Sequence, residues 1–168
     1  MKNCNAYHII IKFLKNFFNH NHKIYNKITD SENFLAICLH NTGCSSIQKV
    51  YELAPIEYEN RFNFLLVSNS SKLLFSDNGG YVIISLINNK KKDLVSSILE
   101  SAITKENSFK EILIYKFSIT IIEKSLSLID LDLVKLLSKK LVKDSLILDL
   151  VLLEDGLYCK FILIFSNS

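Results

Sequence analysis

Four histidines and three of the four cysteines fall within the first 44 residues, and these are the side chains best suited to chemistry. His20-x-His22 and Cys38-x-His40-x3-Cys44 carry the imidazole and thiolate groups that hold zinc. A structural zinc site needs four such ligands in a tetrahedron, and this spacing matches no standard finger. On one helix, Cys38 and His40 point about 200° apart. Gly43 then falls between His40 and Cys44 as an expected helix stop. His20, His22, Cys38, His40 and Cys44 are therefore metal candidates on residue type alone. The competing expectation is two solvent histidines and a buried Cys38. Cys44 with His40 as nucleophile and base would need a third orienting group and an oxyanion pocket, and the sequence supplies neither.

Other constellations read as structure. Asp130 and Asp132, two apart before an apolar run, are expected helix caps rather than an acid/base pair. Asp77-Asn78-Gly79-Gly80 lacks the terminal Glu of a calcium loop and reads as a turn. The glycines are 43, 79, 80 and 156, so no GxxxxGK[ST] or GxGxxG exists, and GxSxG and HExxH are also missing. P-loop hydrolysis, a standard dinucleotide fold and the common hydrolase elbows are excluded. The sequence points away from an enzyme and implies no cofactor. No CxxC occurs, and a chain of 168 residues builds a core without staples, so free thiols are expected.

The charged residues point to partners only in part. Twenty basic and 17 acidic residues give +3, low for a protein held by phosphate contacts. Residues 1–50 hold six lysines and two acids, so any phosphate-binding surface is expected in the N-terminal third. Lys90, Lys91 and Lys92 form a short basic loop, a candidate anion contact. Nineteen lysines stand against one arginine, Arg61, with many Ile, Asn and Phe. That skew follows AT-rich codons, so it does not count as evidence for a basic patch. Apolar residues make up 49% of the chain. The surplus concentrates in Phe13, Phe17 and Phe18 of the first helix and in Phe161 and Phe165 of the last apolar run, the candidate partner-binding residues.

Hydropathy period sets the expected elements. Residues 6–18 space Ala6, Ile9, Ile10, Phe13, Leu14 and Phe17 as one helical face. A second helix follows Asp30 and stops at Gly43, and residues 44–61, with Pro55, read as irregular. From Phe62 the period changes to two. Phe62–Val67, Lys72–Ser76 and Tyr81–Ile87 read as a meander whose Asn-Gly turn demands positive φ. Helices are expected after Asp93 and Asp130, a long strand over Lys110–Ile122, and a final hairpin of Leu146–Leu153 and Leu157–Phe165 about Asp155-Gly156. The expected fold is a single α+β domain over 1–168. It has an N-terminal helical pair in 1–43 and a sheet-forming region in 62–168. About six mostly antiparallel strands pack with about four helices.

The favoured function is a non-catalytic protein–protein interaction module, a small divergent subunit or assembly factor of a larger intracellular complex. The alternative is an RNA- or ribosome-associated binder using the basic N-terminal third; an enzyme without a recognisable signature is the third reading. No run approaches the roughly 18 apolar residues of a membrane span, and Lys12 and Lys15 interrupt any secretory h-region, so an intracellular, non-secreted setting is expected.

Overall fold

The computed structural model describes residues 4–16, 21–104, 111–113 and 115–143. Every regular element among them is a helix. In chain order these are α1 (Cys4–Asn16), α2 (Asn21–Ile28), α3 (Ser31–Cys38), α4 (Gly43–Glu52) and α5 (Ile56–Ser68). They continue with α6 (Ser70–Leu74), α7 (Asp77–Asn88), α8 (Lys92–Thr104), α9 (Lys116–Ser125) and α10 (Leu131–Lys143). Helices α1, α4, α7 and α9 pack in series. Behind them α3 backs α4 and α6 backs α7, while α8 packs against α5, α6, α7 and α10.

The expected α+β fold is thus overturned: no strand occurs among the described residues. Phe62–Val67 and Tyr81–Ile87 lie in α5 and α7, Lys72–Ser76 spans the end of α6 and the turn after it, and the described part of the expected Lys110–Ile122 strand is helical at 111–113 and in α9. Placing Ile, Val or Phe in a helix costs less than about 0.7 kcal/mol per residue. Burying each gains about 1.5–3 kcal/mol, so the face that can be buried wins over propensity. In α5 that face is Tyr58, Phe62, Leu65 and Leu66, a helical spacing, and it leaves Phe64 exposed. The C-terminal hairpin lies outside the described residues.

Three punctuation signals also change meaning. Gly43 does not stop a helix but opens α4, and no glycine among the described residues has positive φ. Residues 44–61 are not irregular; Pro55 is the N-cap of α5, where a missing N–H is harmless. Asp77-Asn78-Gly79-Gly80 is the first turn of α7, with Ser76 Oγ accepting from Gly79 N at 3.4 Å. The expectations at α1, α8 and α10 match the structure closely. Leu94, Val95, Ile98, Leu99, Ala102 and Ile103, the expected apolar face, are the buried face of α8.

An aromatic hub joins α2, α3, α4 and α5. The Phe62 ring meets Tyr25 edge-on at 6.4 Å, Tyr51 edge-on at 5.8 Å and Phe34 at 5.8 Å. Tyr25 also stacks on Tyr58 at 4.7 Å and donates its hydroxyl to the Leu53 carbonyl at 2.8 Å. Burial, aided by the neighbouring Tyr58, pushes the Tyr25 phenol up to about 12. An unfolded tyrosine titrates near about 10, so the folded state holds this proton more tightly. The resulting stability is complete below about pH 10 and is lost as pH rises toward about 12. We expect urea midpoints to fall across that window, and Tyr25→Phe to flatten the fall; a midpoint equally steep in the variant would assign the loss elsewhere.

The α7–α8 connection is closed by an unusual residue. Lys90 has φ 54°, while Lys91 N donates to Leu86 O at 3.0 Å and Lys90 N to Ile87 O at 3.0 Å. This is the left-handed C-terminal cap that normally uses glycine. A side chain in that region costs about 1 kcal/mol or more, so Lys90→Gly is expected to raise stability by roughly 1 kcal/mol. Chemical denaturation of both proteins checks the sign.

Candidate functional site

Two helices of the front layer are equivalent. Gly43 of α4 and Gly79 of α7 stand 36 residues apart. A Cβ on either would strike the carbonyl oxygen six residues earlier, Ile37 O for Gly43 and Leu73 O for Gly79. Three residues before each glycine sits the group capping its N–H: His40 Nδ1 accepts from Gly43 N at 3.3 Å, as Ser76 Oγ accepts from Gly79 N. The two glycines therefore bring their helices against the preceding ones in the same way, although Gly43 is the first residue of α4 and Gly79 the third of α7.

Between α4 and α7 opens a cleft of about 430 Å³. It carries no charge: its lining is four amides (Asn41, Gln48, Asn78, Asn88), the hydroxyls of Ser45, Ser85 and Tyr81, and Cys44 and Ile84. Its lip is pinned on both sides. Asn78 Nδ2 donates to the Leu39 carbonyl at 3.0 Å, and Cys44 Sγ donates to the Asn41 carbonyl at 3.2 Å. Gln48 Nε2 donates to the Tyr81 carbonyl at 3.3 Å, which orients the amide and leaves its oxygen and second N–H for a ligand. The Tyr81 ring is 50% exposed and meets the Phe117 ring of α9 edge-on, with centroids 5.2 Å apart. Tyr115 ties the start of α9 to that of α7 through a 2.6 Å bond from its hydroxyl to Asp77 Oδ1. That bond, together with partial burial, raises the Tyr115 phenol above its ordinary value.

The residues singled out by chemical type are dispersed. His20 lies outside the described residues, and His22 is exposed on α2. Cys38 is fully buried at the end of α3, where burial, then the neighbouring Cys44, pushes its thiol far up, against thiolate chemistry. His40 is occupied as a cap, with Thr42 Oγ1 also within 3.2 Å of Nδ1. Among the described residues no three His, Cys, Asp or Glu side chains gather as a metal site. Only Cys44 of that set lines the cleft.

The other candidates also lie elsewhere. Phe13 is half-buried on α1, and Phe17, Phe18, Phe161 and Phe165 lie outside the described residues. Of the three lysines, Lys91 pairs with Glu59 at 2.8 Å and Lys92 with Asp130 at 2.5 Å, while Lys90 forms the helix cap. The bond to Asp130 raises the Lys92 ammonium above its usual value. Asp130 and Asp132 stand exposed at the start of α10.

Gln48, Ser45 and Tyr81 were not visible as a site in the sequence. The signal that could reveal them is the 36-residue offset, but only Gly43/Gly79 and Ile47/Ile83 are identical between the blocks 40–50 and 76–86. Over the described residues, fold and cleft define a helical bundle that carries an uncharged, amide-rich cleft lined by one aromatic residue, Tyr81. No family model, curated protein or solved structure matches this chain. Among the described residues no helix is long and apolar enough to cross a membrane.

Proposed function

We propose that this protein binds single-stranded RNA through the α4–α7 cleft, seating an unstacked base against Tyr81 with its edge on Gln48. The observation that carries this reading is the pairing, on equivalent helices 36 residues apart, of an oriented amide and a half-exposed aromatic ring in one uncharged cleft. Sequence-specific RNA recognition stacks splayed bases on aromatic rings and reads their edges by hydrogen bonds. Helical-repeat scaffolds do this one base per layer, with two or three side chains each. The neutral lining suits a base rather than a phosphate, and the chain's net charge of +3 adds a weak general attraction.

The test is fluorescence anisotropy with labelled single-stranded RNA, duplex RNA and single-stranded DNA of one sequence. Saturable binding that favours the RNA single strand is expected. Tyr81→Ala should weaken it by about 1–3 kcal/mol, the usual loss for a stacked base, and Gln48→Ala should flatten the preference among the four bases. No saturable binding, or an unchanged Kd in Tyr81→Ala, overturns the proposal.

The protein-docking function expected from apolar surplus rests on Phe13, Phe17, Phe18, Phe161 and Phe165, of which only Phe13 lies among the described residues. Among the described residues, the large exposed apolar side chains Ile9, Ile56, Phe64, Tyr81, Leu131 and Leu136 are spread over α1, α5, α7 and α10. Single exposed apolar side chains are ordinary on a protein surface.

A further inference from the structure

We infer that the site reads one base and no more, because the chain's own Phe117 ring fills the next step along the layer. The inference rests on the RNA reading above and concerns its register. Moving 36 residues from the α4 positions to their α7 equivalents replaces Gln48 by Ile84 and Cys44 by Gly80. The second step therefore offers no amide for a base edge. It also offers no gap. A base inserted between two rings needs roughly 7 Å, twice the ~3.5 Å contact distance of stacked carbons, with the planes near parallel. Tyr81 and Phe117 stand 5.2 Å apart with planes inclined at 64°.

Gly80 sets this closure. A Cβ there would fall 2.6 Å from Cδ1 of Phe117 and 2.8 Å from Cδ1 of Ile121, so the bare α-carbon is what lets the Phe117 ring sit this close over α7 without shifting. At the α4–α7 step the residue equivalent to Tyr81 is Ser45, too small to close against its neighbour, and the cleft stays open. An RNA strand seated on Tyr81 meets Phe117 and turns away. Phe117 and Gly80 are positioning residues that end the register.

The experiment uses the whole chain and a short labelled uridine oligonucleotide carrying either one guest base or two adjacent copies of the best guest. With a single subsite, the second guest should tighten binding by no more than the statistical factor of about twofold. Phe117→Leu, which keeps an apolar side chain over Gly80, and Phe117→Ala should both open the step, so that the second guest now tightens binding about fivefold or more, as for an added stacked base. A gain of about fivefold or more from the second guest in the unmodified protein overturns the inference while leaving RNA binding intact. So does a second guest that adds nothing in both folded Phe117 variants. Failure of every oligonucleotide to bind overturns the RNA reading and the inference with it.

Discussion

Phe62→Ala is expected to lower the unfolding free energy by about 3–5 kcal/mol, the range for removing a fully buried aromatic ring. Phe62 is completely buried and its ring contacts Tyr25, Phe34 and Tyr51 together, so its loss leaves a cavity among α2, α3, α4 and α5. Small proteins have about 5–15 kcal/mol in total, and the variant should sit near the edge of folding. Phe64→Ala, two residues on, should change stability by no more than about 0.5 kcal/mol, as surface substitutions do, because that ring is 70% exposed. The pair separates the two architectures the segment allows. A strand would place residues 62 and 64 on one face and make both substitutions costly. The helix puts them about 200° apart. Urea midpoints of the two variants settle which geometry holds, and similar losses in both would contradict α5.

Gly79→Ala carries the second large effect. At an ordinary helical position, exchanging glycine for alanine stabilises by about 1 kcal/mol. Here the sign should reverse. The new Cβ would lie 2.6 Å from the carbonyl oxygen and 2.7 Å from Cα of Leu73, both backbone atoms that cannot swing aside. Overpacking of this kind costs about 1–3 kcal/mol, on top of the propensity gain it cancels. The start of α7 must then move off α6, and Asn78 and Tyr81 move with it, so ligand binding should weaken as well. Gly80→Ala is the control. Its Cβ meets the side chains of Phe117 and Ile121, which can shift, so its stability loss should be the smaller of the two. Thermal and urea denaturation of both variants check the order. A stabilised Gly79→Ala would show that α6 and α7 do not approach this closely.

Helices α1, α8 and α10 were legible in the sequence, for a local reason, while α4 was read as irregular and α5, α6, α7 and α9 as strands. In α1, α8 and α10 the apolar residues recur at three and four, and lysines or acids fill the gaps, so one face must be buried whatever the neighbours are. The segments misread as strands lack that contrast. Ile, Phe, Val and Leu crowd Phe62–Val67 and Tyr81–Ile87 on both faces, in keeping with a composition skewed toward AT-rich codons, and a short apolar run fits either period. Asn78-Gly79 then supplied a hairpin signal that was false, because the glycine serves close helix approach rather than positive φ.

By itself the sequence determined the helices whose apolar stripe is one-sided, the absence of P-loop, dinucleotide and common hydrolase motifs, and the weak net charge. Only the tertiary structure decided the rest. Whether a run rich in β-branched residues becomes helix or strand depends on which of its faces finds a partner. That partner lies elsewhere in the chain, as Tyr25 and Phe34 do for Phe62. The cleft is non-local in the same way. Gln48 and Tyr81 are unremarkable apart and form a site only because α4 and α7 pack side by side, each held close to the helix before it by a glycine that leaves no room for a side chain there.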